Sequence, residues 1–277
     1  MTKATTGVTR TATPRGVGAL LFLLLCRIAT TASLSSPRVS TFVFAPNGVC
    51  VKPQFFVDAD DGQQFTMRNV PGDGDCMFQA VALAASTSMG LGGNNALLRA
   101  VSEEIRQVVA DILEKGGKGT LNIEGDRSVP ANLLLHSSAR GLHVNPSTYI
   151  EMLRKEGRDG GLYGGGPELT VLSNVLRRPI SVYEIDRSVP ITESECRIQR
   201  QGTFGDMFVD PCESIKDSVV LSPNLPNGAY SWHLHILVVD TGKSPEDKHA
   251  CVLLPQRTTV QRVNDIRVHD PEMSSEP

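Results

Sequence analysis

The residue run from Asp73 to Val81 has the clearest chemical consequence in this chain. It reads Asp-Gly-Asp-Cys-Met-Phe-Gln-Ala-Val, so Cys76 follows a glycine-containing acidic turn and begins an apolar helical pattern. A cysteine at a helix N-terminus lies beside unpaired N–H groups and the positive end of the helix dipole, which favour the thiolate. The same N–H groups could hold an oxyanion, because Gly74 lets the backbone approach a substrate carbonyl. The pattern indicates a nucleophile for acyl transfer, with a buried helix-capping cysteine as the alternative.

Periodic apolar residues predict the elements that must hold this cysteine in place. A short strand is expected over residues 65–70, followed by the acidic turn and a helix from Cys76 to about Thr87. The remaining predicted elements are helices at about 96–115, 146–156 and 167–177, and strands at 180–185, 232–239 and 250–254. The last two strands are expected to form a hairpin. Residues 187–227 are loop-rich, and residues 120–145 fit no single pattern.

The first 57 residues have the composition of a targeting segment. They contain six Lys or Arg residues and no acidic residue, and an apolar run covers Val17–Cys26. That run has the length of a signal-peptide core and is short for a bilayer span. We therefore expect a signal peptide over residues 1–33, a transit-like or disordered linker over 34–57, a domain over 58–256 and a polar tail over 257–277.

This arrangement predicts entry into the secretory pathway and leaves the destination open. A signal core followed by a stretch rich in Ser, Val and Pro resembles the bipartite plastid presequence of algae with secondary plastids. A plain secretory signal with a disordered linker is the alternative, and a membrane anchor is a third. We expect no stable membrane insertion of the mature protein. N-terminal sequencing of the native protein would test removal of this segment, and an intact Met1 would contradict it.

Charge and cysteine spacing exclude several classes of protein. The net charge is −3 overall, but the residues after position 57 include 21 basic and 30 acidic side chains, a charge of −9. This excess of acidic residues argues against binding to the phosphates of DNA or RNA. The six cysteines include no Cys-x-x-Cys pair, which disfavours a zinc ribbon or a thioredoxin-like site. No metal, organic cofactor or nucleic-acid partner is predicted.

Three separated segments resemble the ovarian tumour (OTU) family of papain-like cysteine deubiquitinases. Asp73–Ala80 is similar to the family's nucleophile motif, Asp-Gly-Asp-Cys-hydrophobic-Phe/Tyr-x-Ala. Tyr149–Leu153, followed by Tyr163–Leu169, resembles the family's tyrosine-bearing helix and its Trp-Gly-Gly-x-x-Glu-Leu motif, with Tyr163 in the place of Trp. Val175–Tyr183 resembles the helix-to-strand join that follows. The resemblance extends from residue 65 to about residue 255, in the order that the family shows.

This resemblance implies an α+β fold of the papain-like OTU type, with a small, mainly antiparallel sheet packed between helices. It also implies a cysteine-type deubiquitinase that cleaves ubiquitin peptide and isopeptide bonds through a Cys–His(–Asp) site. Its partners would be conjugates of ubiquitin or a ubiquitin-like protein. One alternative is a catalytically inactive OTU-fold module that binds ubiquitin. Another is a plastid or secreted cysteine hydrolase acting on a non-ubiquitin substrate, which the targeting segment favours.

The resemblance also assigns roles to individual residues. Cys76 is the nucleophile, and the backbone of Gly74, Asp75 and Cys76 forms the oxyanion hole. The family's base lies at the start of the final strand, after a strand and a short loop. This position favours His249, with His233 as the alternative base.

The family's histidine signature, His-Tyr/Trp-Asp/Asn, is not intact in this chain. Cys251 lies two residues after His249, and His235 lies two residues after His233, so neither candidate base is followed by a carboxylate. Some family members use the aspartate three residues before the nucleophile, which here is Asp73. Its task would be to fix the imidazole tautomer and stabilise the imidazolium. A turn-forming or helix-capping role is the alternative for this aspartate.

Overall fold

The computed structural model describes residues 43–44, 50–88, 95–117, 119–124, 127–208, 233–240 and 248–256. The predicted signal peptide, most of the predicted linker and the predicted tail therefore lie outside the described residues. So do Trp232, with which the predicted strand at 232–239 begins, and the second half of the loop-rich region at 187–227.

The described ranges contain short strands and helices in alternating groups. In chain order they are β1 (Val43–Phe44), β2 (Cys50–Val51), β3 (Phe55–Asp58), β4 (Gln64–Arg68), α1 (Cys76–Ser88), α2 (Asn95–Lys115), β5 (Thr120–Glu124), β6 (Arg127–Pro130), α3 (Ala131–Gly141), α4 (Pro146–Arg154), α5 (Gly166–Leu176), β7 (Ile180–Ile185), β8 (Glu195–Phe204), β9 (Leu234–Asp240) and β10 (Lys248–Pro255). One turn of 3₁₀-helix covers Gly157–Asp159. None of the described helices combines the length and the apolar composition that a bilayer crossing needs.

Helix α1 lies in the middle of the molecule because its sequence is apolar or small on every side. Twelve of its thirteen residues are buried, and the helix packs on β9 and β10 with one face and on α2 with the other. A helix without a polar face is expected to be covered all round. Its alanines bring the sheet and α2 close to the helix axis. This burial fixes the position of Cys76, the first residue of the helix.

Six strands form a sheet that closes on itself, in the order β10-β4-β3-β8-β7-β9, with β9 paired to β10. Four of the neighbouring pairs are antiparallel, whereas β3–β8 and β7–β9 are parallel. One face of the sheet packs against the helices. The other face encloses a separate apolar cluster formed by Phe56, Phe65, Tyr183, Cys196, Ile198, Leu237, Cys251 and Leu253.

The closed sheet is larger than the small sheet that the family resemblance implied. Its extra strand β3 runs parallel to β8, with Phe56 opposite Cys196. The sequence predicts no strand before residue 65, because the mainly acidic run at residues 58–61 obscures the alternation of the preceding Phe55, Phe56 and Val57. The sheet thus begins three residues before the expected start of the domain at residue 58.

Candidate active site

Cys76 lies where helix α1 meets strand β10. Its side chain is 5% exposed, and the backbone N–H of Ala250 donates a hydrogen bond to Cys76 Sγ at 3.4 Å. The helix and the strand that hold this contact are 174 residues apart in the chain. The fold therefore places the sulfur beside the residue that follows His249.

The environment of Cys76 favours the protonated form of its thiol. Burial raises the pKa of Cys76 above its ordinary value, although the N–H groups of Ala250, Met77 and Cys76 itself oppose the shift. The negative charge of Asp73 adds to the upward shift. The donors expected at a helix N-terminus are present, but desolvation of the sulfur outweighs them. The N–H groups at the helix terminus therefore act in the predicted direction, but burial has the larger effect on the pKa of Cys76.

We expect the alkylation rate of Cys76 to report this shift. With a pKa above the ordinary value of 9.0, the thiolate fraction should rise about tenfold for each pH unit between pH 7 and pH 9. Labelling with iodoacetamide, followed by peptide mass spectrometry, would measure the rate at Cys76. A rate that is already constant below pH 7.5 would contradict the neutral thiol.

The turn before Cys76 is held by two glycines in mutual contact. Gly74 has a φ of +87°, and a Cβ on it would lie 2.6 Å from Gly157 Cα. A Cβ on Gly157 would lie 2.2 Å from the Gly74 carbonyl carbon. The prediction that Gly74 gives room to a substrate carbonyl is untested, whereas the structure shows that Gly74 gives room to the 3₁₀ turn that begins at Gly157.

His249 is the second residue of β10, and its ring lies at the same end of the sheet as Cys76. Its Nε2 is 2.6 Å from Asn69 Oδ1, and its Nδ1 faces Gly72, at 3.8 Å from the position of a Cβ there. Burial lowers the pKa of His249, while a hydrogen bond with the Val70 backbone and the charge of Asp73 oppose this shift. A neutral imidazole at neutral pH is the state that can accept a proton from the thiol.

Asn69 is the site residue that sequence reasoning missed. It follows the last residue of β4, and the antiparallel pairing of Arg68 with Val252 brings it opposite Cys251. The Cys251 Sγ donates to Asn69 Oδ1 at 3.4 Å, so one amide oxygen contacts both His249 and Cys251. Only the register between β4 and β10, which are about 180 residues apart in the chain, predicts this contact, and the sequence around Asn69 does not reveal that register.

His233 and His235 lie at the other end of the β9–β10 hairpin. His235 pairs with Leu253, near the end of β10, whereas His249 pairs with Val239 near its start. The His235 ring packs on Phe65 inside the closed sheet, and burial lowers its pKa to about 3. The His233 ring is 6.0 Å from that of His235. The structure thus brings His249, and not His233, to the end of the sheet where Cys76 lies.

Asp73 contacts Gln79 and Arg99. Its two carboxylate oxygens accept hydrogen bonds from Gln79 Nε2 at 2.9 and 3.1 Å, and Oδ2 is 3.5 Å from an Arg99 nitrogen. Asp73 Oδ1 also accepts the Asp75 N–H at a long 3.3 Å. These contacts are those of a turn-forming residue, and its charge acts on His249 without being the direct partner of Nε2. Its assignment as the third member of the site remains a prediction.

The glycine-rich segment before α5 packs on the first turn of α1. A Cβ on Gly164 would lie 3.0 to 3.1 Å from side-chain atoms of Phe78 and Met77, so a larger residue here would crowd the first turn of α1. The neighbouring Tyr163 is 60% exposed. Glu168 links the glycine-rich segment to helix α4, since it accepts hydrogen bonds from the Gly165 N–H at 2.8 Å and from the Tyr149 hydroxyl at 2.6 Å. An exposed aromatic side chain therefore lies next to the turn that carries Cys76.

The side chains of the candidate site are suited to covalent chemistry at sulfur. Within the described ranges, no group of three or more His, Cys, Asp or Glu side chains is arranged to hold a metal ion. Cys76, His249 and Asn69 bring a thiol, an imidazole and an amide to one end of the sheet.

Comparison with known proteins adds independent information on this site. A family model described as "OTU-like cysteine protease" matches residues 71–209, which is half of the chain and includes Cys76. The chain is also similar to a curated protein of Arabidopsis thaliana, "OVARIAN TUMOR DOMAIN-containing deubiquitinating enzyme 4", at 29% identity over 124 residues. That match covers 44% of this chain and 32% of the relative, so it spans about a third of the relative's length.

Proposed function

The chain belongs to the OTU-like cysteine protease family, and from this premise we propose that it hydrolyses peptide or isopeptide bonds at the C-terminus of ubiquitin or a ubiquitin-like protein. Cys76 is the nucleophile and His249 is the general base. The observation that supports this most strongly is the pair of contacts at the start of β10. Ala250 N–H reaches Cys76 Sγ at 3.4 Å, and the preceding residue, His249, is held by Asn69 at 2.6 Å.

In the first step, His249 takes the proton of the Cys76 thiol as the sulfur attacks the substrate carbonyl. An S–C bond forms, and the carbonyl electron pair moves onto the oxygen. Backbone N–H groups of the turn from Gly74 to Cys76 then stabilise the oxyanion. Because burial raises the pKa of Cys76 and lowers the pKa of His249, we expect proton transfer to accompany attack instead of preceding it.

In the second step, the oxyanion collapses and the C–N bond breaks. His249 gives its proton to the departing amine, which leaves a thioester on Cys76. His249 next takes a proton from water, and the hydroxide attacks the thioester. Release of the carboxylate returns the proton to sulfur and restores the starting site.

Asn69 orients the base in this scheme. An amide oxygen can only accept, so its 2.6 Å contact with His249 Nε2 requires the proton to be on that nitrogen. The lone pair is then on Nδ1, which faces the turn at Gly72. The Asn69 amide thus takes the role in this chain that the Asp or Asn two residues after the histidine has in the family signature.

We expect Asn69→Ala to lower kcat about tenfold or more, because the imidazole loses the partner that fixes its tautomer. Asn69→Asp should retain most of the activity, since a carboxylate oxygen accepts the same hydrogen bond. Steady-state hydrolysis of a fluorogenic ubiquitin C-terminal amide would measure both. Asn132→Ala, at an exposed position of α3, is the matched control. Full activity in Asn69→Ala together with a large loss in Asp73→Asn would return the role to Asp73.

A catalytically inactive module that binds ubiquitin is the second candidate function. The observations that favour it are Cys251 in place of a carboxylate and the raised pKa of Cys76. Ubiquitin carrying a C-terminal propargylamide distinguishes the two, because it forms a covalent adduct only with a reactive cysteine in a pocket that accepts the ubiquitin tail. Non-covalent binding without an adduct would favour the inactive module.

A further inference from the structure

Arg106 is a fully buried arginine in the middle of α2, separated from Cys76 by thirty residues of sequence. Burying a guanidinium group is unfavourable unless each side of it finds an acceptor or an aromatic face. The groups that contact the guanidinium therefore indicate which part of the fold Arg106 stabilises.

The guanidinium contacts the turn that leads into Cys76 at two points. Its Nε donates to Asp75 Oδ1 at 2.5 Å, and one terminal nitrogen donates to the Gly74 carbonyl oxygen at 3.2 Å. The other terminal nitrogen donates to the Leu153 carbonyl oxygen at the end of α4, at 3.1 Å. The group also lies over the Phe78 ring, 4.4 Å from its centre. Three of these four contacts are with residues 74–78.

The opposite side of the same turn rests on the 3₁₀ turn at Gly157. The Gly157 N–H donates to Asp75 Oδ1 at 3.2 Å, so one carboxylate oxygen binds both Arg106 and Gly157. The backbones of Gly157 and Gly74 are in direct contact, which leaves no room for a Cβ on either. The turn from Gly74 to Cys76 therefore lies between the Arg106 guanidinium on one side and the Gly157 backbone on the other.

Because the peptide bond is planar, the contacts of Arg106 also fix the direction of the N–H groups that could bind an oxyanion. In a trans peptide the C=O and the following N–H point in opposite directions. Because Arg106 holds the Gly74 carbonyl on its own side, the Asp75 N–H must point away from it, and in the free protein this N–H makes a long 3.3 Å contact with Asp73 Oδ1. The Asp75 side chain, held by the same guanidinium, fixes the start of the next peptide, whose N–H belongs to Cys76.

We propose that Arg106 is a positioning residue for the oxyanion hole, which it acts on through Gly74 and Asp75. This inference rests on the proposed function. A buried ion pair that serves only stability is often replaceable, since apolar residues of similar volume can stabilise a fold equally well. A positioning role differs from that, because turnover would fall while binding and thiol reactivity stayed unchanged.

Arg106→Lys tests this role, because lysine keeps the charge but cannot reach Asp75, Gly74 and Leu153 together. With the fluorogenic ubiquitin amide, we expect kcat to fall about 10²-fold, the usual scale for a lost oxyanion donor. KM should stay within about twofold, since substrate binding does not depend on a stabilised oxyanion. The iodoacetamide alkylation rate of Cys76 should also stay within about twofold, because the N–H groups of Ala250 and Met77 act more strongly on the thiol pKa than the Cys76 N–H does. Arg154→Lys, at a surface ion pair with Asp111, is the matched control and should keep full activity.

A second variant reaches the same turn from its other side. Gly157→Ala places a methyl group against the Gly74 backbone and should lower kcat with the same unchanged KM and alkylation rate. Gly202→Ala is its control, because nothing lies within 4 Å of a Cβ there. If Arg106→Lys does not fold, the Gly157→Ala result decides.

Two outcomes would overturn the inference. One is wild-type kcat in folded Arg106→Lys or, if that variant does not fold, in Gly157→Ala. The other is an equal loss of kcat, substrate affinity and alkylation, which would indicate a role in folding alone. In both cases the proposed function survives if Cys76→Ala is inactive beside an active wild type. An inactive wild type would instead remove the proposed function, and this inference with it.

Discussion

Replacing Cys76 by alanine is expected to reduce hydrolysis of a fluorogenic ubiquitin C-terminal amide by at least about 10³-fold, to the background rate. No other sulfur in the described ranges begins a helix, and the reaction needs a covalent intermediate on this atom. The loss should be in kcat, while the melting temperature changes by only a few degrees, because one buried sulfur atom is removed.

Cys196→Ala is the matched control for this variant. Cys196 is a fully buried free cysteine inside the closed sheet, on the face away from α1. Its replacement should cost similar stability and leave turnover unchanged. Full activity in Cys76→Ala would remove the nucleophile assignment, and loss of the folded state would make Cys76 a structural residue.

Replacing His249 by alanine is expected to lower kcat about 10²-fold or more, the usual scale for the loss of a general acid–base group. His233→Ala should change kcat much less, because the hairpin register carries it to the end of the sheet remote from Cys76. The comparison is well matched, since both histidines lie near the first residue of neighbouring strands of one hairpin. Steady-state kinetics at saturating substrate would measure both variants.

The relative loss of kcat in these two variants distinguishes three hypotheses. A large loss in His249→Ala alone supports His249 as the base. The opposite ranking would move the base to His233. If neither His249→Ala nor His233→Ala changes kcat, and the protein still binds ubiquitin, the inactive module would be favoured.

The sequence was sufficient for the elements that depend on local pattern. The helix from Cys76 to about Thr87 was expected from its apolar residues and is observed as Cys76–Ser88. The family was also identified correctly from the Asp-Gly-Asp-Cys run and the Gly-Gly-x-x-Glu-Leu segment. In both cases residues close in sequence carry the information.

The contacts that complete the site are not local, and sequence reasoning missed them. Asn69 reaches His249 only because β4 pairs with β10, and nothing in its neighbourhood sets that register. Arg106 reaches Asp75 because α2 folds back on α1, although a charged residue in a helix is usually read as exposed. The upward shift in the pKa of Cys76 was also missed, because burial depends on how much of the fold covers the sulfur.

The most direct test of this account is the reaction of the protein with ubiquitin that carries a C-terminal propargylamide. The proposed function predicts a one-to-one covalent adduct, detected by intact-mass spectrometry, with the modified residue mapped to Cys76 and no adduct in Cys76→Ala. A folded wild-type protein that forms no adduct, or an adduct that persists in Cys76→Ala, would contradict it.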